Sequence, residues 1–167
     1  MAQKIGTENS KAELIEQTIR QYADMIIRIA YQNTKSYSDA EDILQEVSIA
    51  LVTSNAPLDD DKHLKHWLVR VTINKCHDLH RSYWRRNTES IDDHLDLVAP
   101  EHEEVLDEVC ELSENYRTII YLYYYENFSI AEIAEALGKS PNTISTWLRR
   151  GRKRLKGLLV EGGFQYE

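Results

Sequence analysis

Eight side chains within twelve positions, Asn142, Thr143, Ser145, Thr146, Arg149, Arg150, Arg152 and Lys153, combine amide, hydroxyl and cationic groups. Hydroxyls and guanidinium groups suit nucleic-acid base edges, arginine giving two hydrogen bonds to one guanine, while lysines and arginines suit phosphates. A second set, Lys65, His66, Arg70, Asn74, Lys75, Arg81, Arg85 and Arg86, interleaves with Trp67, Tyr83 and Trp84. Basic groups mixed with stacking surfaces hold single-stranded nucleic acid, and the Asn74 carboxamide can both donate and accept. The run Cys76-His77-Asp78-Leu79-His80 places two histidines three apart, a spacing that can ligate zinc from a helix. No complementary pair with zinc-finger spacing occurs elsewhere, so no metal is expected. No Gly-rich phosphate loop, nucleophile elbow or paired-carboxylate arrangement stands out, so neither an enzyme nor a cofactor is expected.

The elements that would position these groups read as helices. Only three prolines and six glycines occur, most of them where helices would stop. Ser10-Lys-Ala-Glu13 and Ser38-Asp-Ala-Glu41 read as capping boxes, in which side chains satisfy the free amides of a helix start. Apolar residues recur at helical spacing after each: Leu14, Ile15, Ile19, Tyr22, Ile26 and Ile29, then Ile43, Leu44, Val47 and Leu51. A third helix, roughly 63–85, aims Leu64, Trp67, Leu68, Val71 and Leu79 at the same core, which makes Trp67 a core residue. Ile119–Tyr125 is rich in β-formers, but no second strand is available to pair with it, and helix is the better assignment.

Ser129-Ile-Ala-Glu132 is a third capping box, Gly138 a left-handed helix end, and Ser140-Pro141 a fresh helix start. The spacing predicts a helix-turn-helix whose second helix buries Ile144, Leu148, Gly151, Leu155 and Leu158 or Leu159. In such a motif the N-terminal part of the second helix enters the DNA major groove.

The net charge of −8 hides an uneven layout. Residues 62–86 carry seven Lys/Arg against Asp78 alone, and residues 139–156 carry seven with no acid. Between them, residues 87–111 hold ten acids and no Lys/Arg. Local positive patches bind phosphates whatever the total charge. The reading is all-α: an N-terminal helical domain over 10–86, an acidic linker over 87–111 and a C-terminal helix-turn-helix domain over 112–161. A hydrophobic content of 42% beside 29% charged residues fits a globular chain, not a disordered one. The longest apolar-looking run, Ile119–Tyr125, falls far short of the roughly 18 residues a membrane span needs. Met1–Glu8 lacks the apolar core of a signal peptide, and Cys76 and Cys110 cannot build a disulfide framework. A soluble, cytoplasmic protein with no membrane insertion is expected.

Three segments together carry a family likeness: Ser38-Asp-Ala-Glu-Asp-Ile-Leu-Gln-Glu-Val47, the stretch from His66-Trp-Leu-Val-Arg-Val-Thr-Ile-Asn-Lys-Cys-His-Asp-Leu79 to Arg81-Ser-Tyr-Trp-Arg-Arg86, and Tyr116–Gly138. Over about residues 12–160 the chain resembles the extracytoplasmic-function sigma factors of bacterial RNA polymerase. The resemblance implies that Asp39, Asp42, Gln45 and Glu46 dock on core RNA polymerase, where complementary charge orients association. It implies that Lys65, His66, Arg70, Asn74, Lys75, Arg81, Arg85 and Arg86, with the loop Asp59–Lys65, handle the −10 element of promoter DNA and hold its melted single strand. It further implies that Ser145, Thr146, Arg149 and Arg150 face −35 base edges, while Asn142, Thr143, Arg152 and Lys153 contact backbone. An anti-sigma factor is a common partner in this family. The alternative is a stand-alone helix-turn-helix regulator with an N-terminal effector or dimerisation domain, which would find its operator without polymerase.

Overall fold

From Ile15 onward the first helix, α1 (Ala2–Thr34), buries a helical stripe: Thr18, Tyr22, Met25, Ile26, Ile29, Ala30 and Asn33 follow at three- and four-residue steps. That stripe meets α2 (Tyr37–Thr53) and α3 (Asp61–Arg86), and each of the three helices packs on the other two. Ile26, Ile29, Val47, Leu51, Leu68 and Val69 form the driest part of this core. Thr72 lies among them without cost, because its hydroxyl donates to the Leu68 carbonyl at 2.7 Å. The Tyr22 hydroxyl donates to Asp61 and ties α1 to the start of α3.

The computed structural model describes residues 2–86, 109 and 111–161, the side chains of 2–9 and 84–86 excepted. Among them every regular element is a helix, as the all-α reading expects. The chain divides into two compact units, Met1–Asp96 and Leu97–Glu167. The predicted acidic linker, 87–111, lies outside the described residues apart from 109 and 111.

Two predicted helix starts are corrected. Helix α1 begins at Ala2, so Ser10 and Glu13 sit within it; a capping box offers a start without forcing one, and no proline precedes this one to break the helix. Helix α2 is capped by Ser36 rather than Ser38, the Ser36 hydroxyl accepting the Asp39 N–H at 3.2 Å. The preceding turn decides between the two serines. Lys35 is left-handed (φ 59) and its N–H returns to Tyr31 O at 2.8 Å, which makes Ser36 the first extended residue.

In the second unit, α4 (Glu114–Tyr124), α5 (Ile130–Leu137) and α6 (Pro141–Glu161) follow the predicted order. Both halves of the Ser129/Glu132 capping box are formed, at 3.2 Å and 2.7 Å. Gly138 ends α5 at φ 61, a conformation costly for any residue with a Cβ. Ser140 then accepts the Thr143 N–H at 3.1 Å, with Pro141 at the first helical position. Ile119, Ile120, Leu122, Ile133, Ile144 and Leu148 fill the core. Gly151 sets the approach of α4 to α6: a Cβ there would stand 3.1 Å from Ile120 Cδ1 and 3.4 Å from Tyr116 Cβ.

Candidate nucleic-acid interface

Helix α6 separates its residues cleanly by face. Ile144, Leu148 and Gly151 are buried, while Asn142, Ser145, Arg149, Arg150, Arg152 and Lys153 are exposed and Thr143 and Thr146 half-buried. All eight residues named from the sequence therefore lie off the buried stripe. Ser145, Arg149 and Arg152 stand at i, i+4 and i+7, as do Asn142, Thr146 and Arg149, so the two rows share a continuous polar surface. Thr143 is engaged locally, its hydroxyl 2.8 Å from that of Ser140. Arg152 lies over the rings of Tyr123 and Tyr124, and Arg154 over that of Tyr116. No periodicity links these tyrosines to α6, so sequence reasoning missed them.

In the first unit the exposed face of α3 carries Arg70, Asn74 and Arg81, with half-buried His66 one turn before Arg70. His77 is exposed and completes the row at i+3 from Asn74, in keeping with histidines on a nucleic-acid-facing helix rather than a metal pair. Lys65 is not brought to this face. It stands in register with the buried Val69, Thr72 and Cys76 and is itself half-buried. Lys75 also departs from it, forming an ion pair with Glu46 of α2 at 2.9 Å. The side chains of Arg85 and Arg86 lie outside the described set, though both residues belong to the last turn of α3. The expected loop Asp59–Lys65 is helical from Asp61 onward. Trp67 is half-buried and Leu64 is buried.

Of the four acidic and amide groups on α2, Asp42, Gln45 and Glu46 are exposed and Asp39 is half-buried. Asp42 and Gln45 continue at helical spacing into Ile49 and Val52, both more than half exposed at 61% and 54%. The row thus begins polar and ends apolar.

Cys76 is fully buried, and His80 Nε2 lies 2.9 Å from the Asn33 carbonyl at the end of α1. Among the described residues no group of three or more His, Cys, Asp or Glu could hold a metal ion. Nor is any described helix long and apolar enough to cross a membrane.

At the head of α3, Asp60 accepts the His63 N–H at 3.0 Å, and His63 Nδ1 lies 2.6 Å from its other oxygen. The backbone N–H first, and the ring second, hold the Asp60 carboxyl below the usual carboxylate range.

Residues 18–86 match the sigma-70 region 2 family, and residues 102–155 match sigma-70, region 4. The ECF RNA polymerase sigma factor SigW of Bacillus subtilis is 26% identical over 173 residues, covering 92% of this chain and 90% of the relative. SigM of the same organism, also an ECF RNA polymerase sigma factor, is 29% identical over 159 residues, covering 89% and 96%. The sigma factor RpoE, solved in complex with the anti-sigma factor NepR from Bartonella quintana, superposes with a TM-score of 0.64. That likeness covers 86% of this chain and 95% of the other at 22% identity, and speaks for the fold alone.

Proposed function

The chain belongs to the extracytoplasmic-function sigma factors, which direct core RNA polymerase to promoters and assist DNA melting, and on that premise we propose how its surfaces divide the work. Asp39, Asp42, Gln45 and Glu46 dock the first unit on core polymerase, with Ile49 and Val52 adding apolar area to the same row. The outer face of α3, from His66 through Arg70 and Asn74 to Arg81 and the terminal Arg85 and Arg86, holds the −10 strand by charge, hydrogen bonds and stacking. Lys65 and Lys75 belong to this set by sequence but act from its margin. In the second unit Ser145, Thr146, Arg149 and Arg150 read −35 base edges, while Asn142, Thr143, Arg152 and Lys153 fix the helix on the backbone. Residues 10–86, 87–111 and 112–161 serve as −10 and polymerase domain, tether and −35 domain respectively. A protein antagonist of the kind bound to the Bartonella quintana relative is a third partner in this scheme, and the cytoplasm its place of action.

The observation that carries the reading is that the two matched regions coincide with two helical units, each turning a cationic helix face to solvent. Binding energy alone accounts for the work proposed, and no residue is assigned a catalytic step.

Transcription reconstituted with core polymerase on genomic DNA, with start sites mapped, tests it. The chain is expected to co-migrate with core enzyme and to start transcription at a defined set of promoters, and Asp42→Arg to weaken the assembly. A chain that never joins core enzyme, yet finds a specific duplex unaided, would overturn the scheme in favour of a stand-alone regulator.

A further inference from the structure

Arg152 lies on the flank of the exposed face of α6, in register with Ser145 and Arg149. Its guanidinium carbon is 5.3 Å from the ring centroid of Tyr123 and 5.4 Å from that of Tyr124. The two rings meet edge to face, with centroids 5.0 Å apart and planes at 76°. A cation held against two nearly perpendicular rings sits in a corner, fixed in two directions. Tyr124 is 52% exposed, so this corner opens to solvent.

We propose that Tyr123 and Tyr124 are positioning residues for promoter binding, their rings holding the Arg152 guanidinium ready for a DNA phosphate. The proposal rests on the reading of α6 as the duplex-binding helix and of Arg152 as a backbone contact. A carboxylate in the tyrosines' place would also orient the arginine, but would occupy its donors and cancel its charge. An aromatic face attracts the cation through the ring quadrupole and leaves its N–H groups and full charge for another partner. A free arginine surrenders much side-chain freedom on binding, and one already confined surrenders less. The position fits a phosphate: Arg152 stands in the second half of the helix, beyond the N-terminal residues that enter the groove. No acid lies between residues 139 and 156 to compete for it from its own helix.

The test uses the chain assembled with core polymerase, and as probe a promoter fragment enriched from genomic DNA by the wild-type assembly. Affinity is measured as a function of salt. Arg152→Ala should weaken binding about 10-fold and make the salt dependence shallower by about one released counterion. The pair Tyr123→Leu and Tyr124→Leu should lower affinity roughly 3-fold or more on its own and cause no further loss when added to Arg152→Ala, since groups acting through one contact are non-additive. The pair Tyr123→Phe and Tyr124→Phe keeps the ring faces and should restore binding. Leucines that lower the melting temperature but leave affinity and salt slope at wild type would overturn the proposal, reducing the tyrosines to a helix staple. Phenylalanines as damaging as leucines would overturn it too, by assigning the effect to the hydroxyls. Should Arg152→Ala itself leave the slope unchanged, the backbone role of Arg152 fails and takes the proposal with it, while Arg149 and Arg150 keep theirs.

Discussion

Helices α3 and α6 both turn cations outward, but they partner them with different chemistry. On α3, Lys75 is held by Glu46 at 2.9 Å and Arg81 approaches Asp78 at 3.3 Å. On α6, Arg152 and Arg154 lie over tyrosine rings, and the helix has no acid from 139 to 156. A carboxylate orients a cation by neutralising it; a ring orients it and leaves the charge in place. The first unit therefore presents a trimmed positive field beside hydrogen-bonding groups such as Asn74, and the second leaves the charges of Arg152 and Arg154 in place. That contrast suits the two tasks proposed. Gripping a duplex depends on phosphate neutralisation, whereas a melted strand is held as much by stacking and pockets as by charge.

The largest expected effect breaks the aromatic side of this contrast. Tyr116, Tyr123 and Tyr124 belong to α4, which lies so close to α6 at Gly151 that there is room there for no more than a Cβ. Gly151→Val forces two methyl groups and a Cβ against Ile120 and Tyr116, and should destabilise the second unit by roughly 2 kcal/mol or more. Gly151→Ala should be close to neutral, because about 1 kcal/mol of helix propensity offsets a tight contact with the tip of Ile120. Hydrogen exchange of the α4 and α6 amides measures both. A valine no more harmful than the alanine would show that close approach does not seat the tyrosines.

The same two regions differ in how far their sequences announce them. The α5–turn–α6 segment was readable because each signal is local: Ser129 with Glu132, Gly138, then Ser140 with Pro141, each acting within three residues of itself. The start of α2 was not, because Ser36 and Ser38 both fit a cap and the left-handed Lys35 decides between them. Of the α3 stripe read from spacing, Leu64 and Leu68 are buried but Trp67, Val71 and Leu79 only half-buried, because Val69, Thr72, Ile73 and Cys76 share the core side of the helix. The exposed row at Arg70, Asn74 and Arg81 lies opposite. The partners of Lys75 and Arg152 depend on which residue of another helix lies opposite, and one-dimensional periodicity carries no such information. Lys65 shows the reverse failure: its register with Val69, Thr72 and Cys76 was visible, but its charge suggested exposure.

A smaller effect sharpens the acidic side. Both members of the Glu46–Lys75 pair are partly exposed, with side-chain exposures of 55% and 33%. Solvent screens such a pair, and Glu46→Gln should cost no more than about 1 kcal/mol of first-unit stability, less at high salt. Thermal melts at low and high salt check this. A loss that does not shrink with salt would mean the glutamate holds α2 on α3 by something other than charge.

The smallest effect concerns Asp60 and His63, where the acid partnering of the first unit recurs at the head of α3. The carboxyl is held low in the folded chain by the His63 N–H and then by the His63 ring. A depressed folded pKa adds stability above the unfolded value, near 3.9, and that stability is lost as pH falls through the folded value. Asp60→Asn keeps an oxygen able to cap the helix but removes the titrating group. The wild type should therefore melt above the variant at neutral pH, and the gap should close as pH drops below about 4. Melting temperatures that stay parallel for the two chains down to that range would detach the carboxylate from the stability of α3. On α6 the partners of Arg152 and Arg154 are tyrosine rings, which take up no proton in this range, so these two cations should keep their partners as the acid in front of α3 gives up its own.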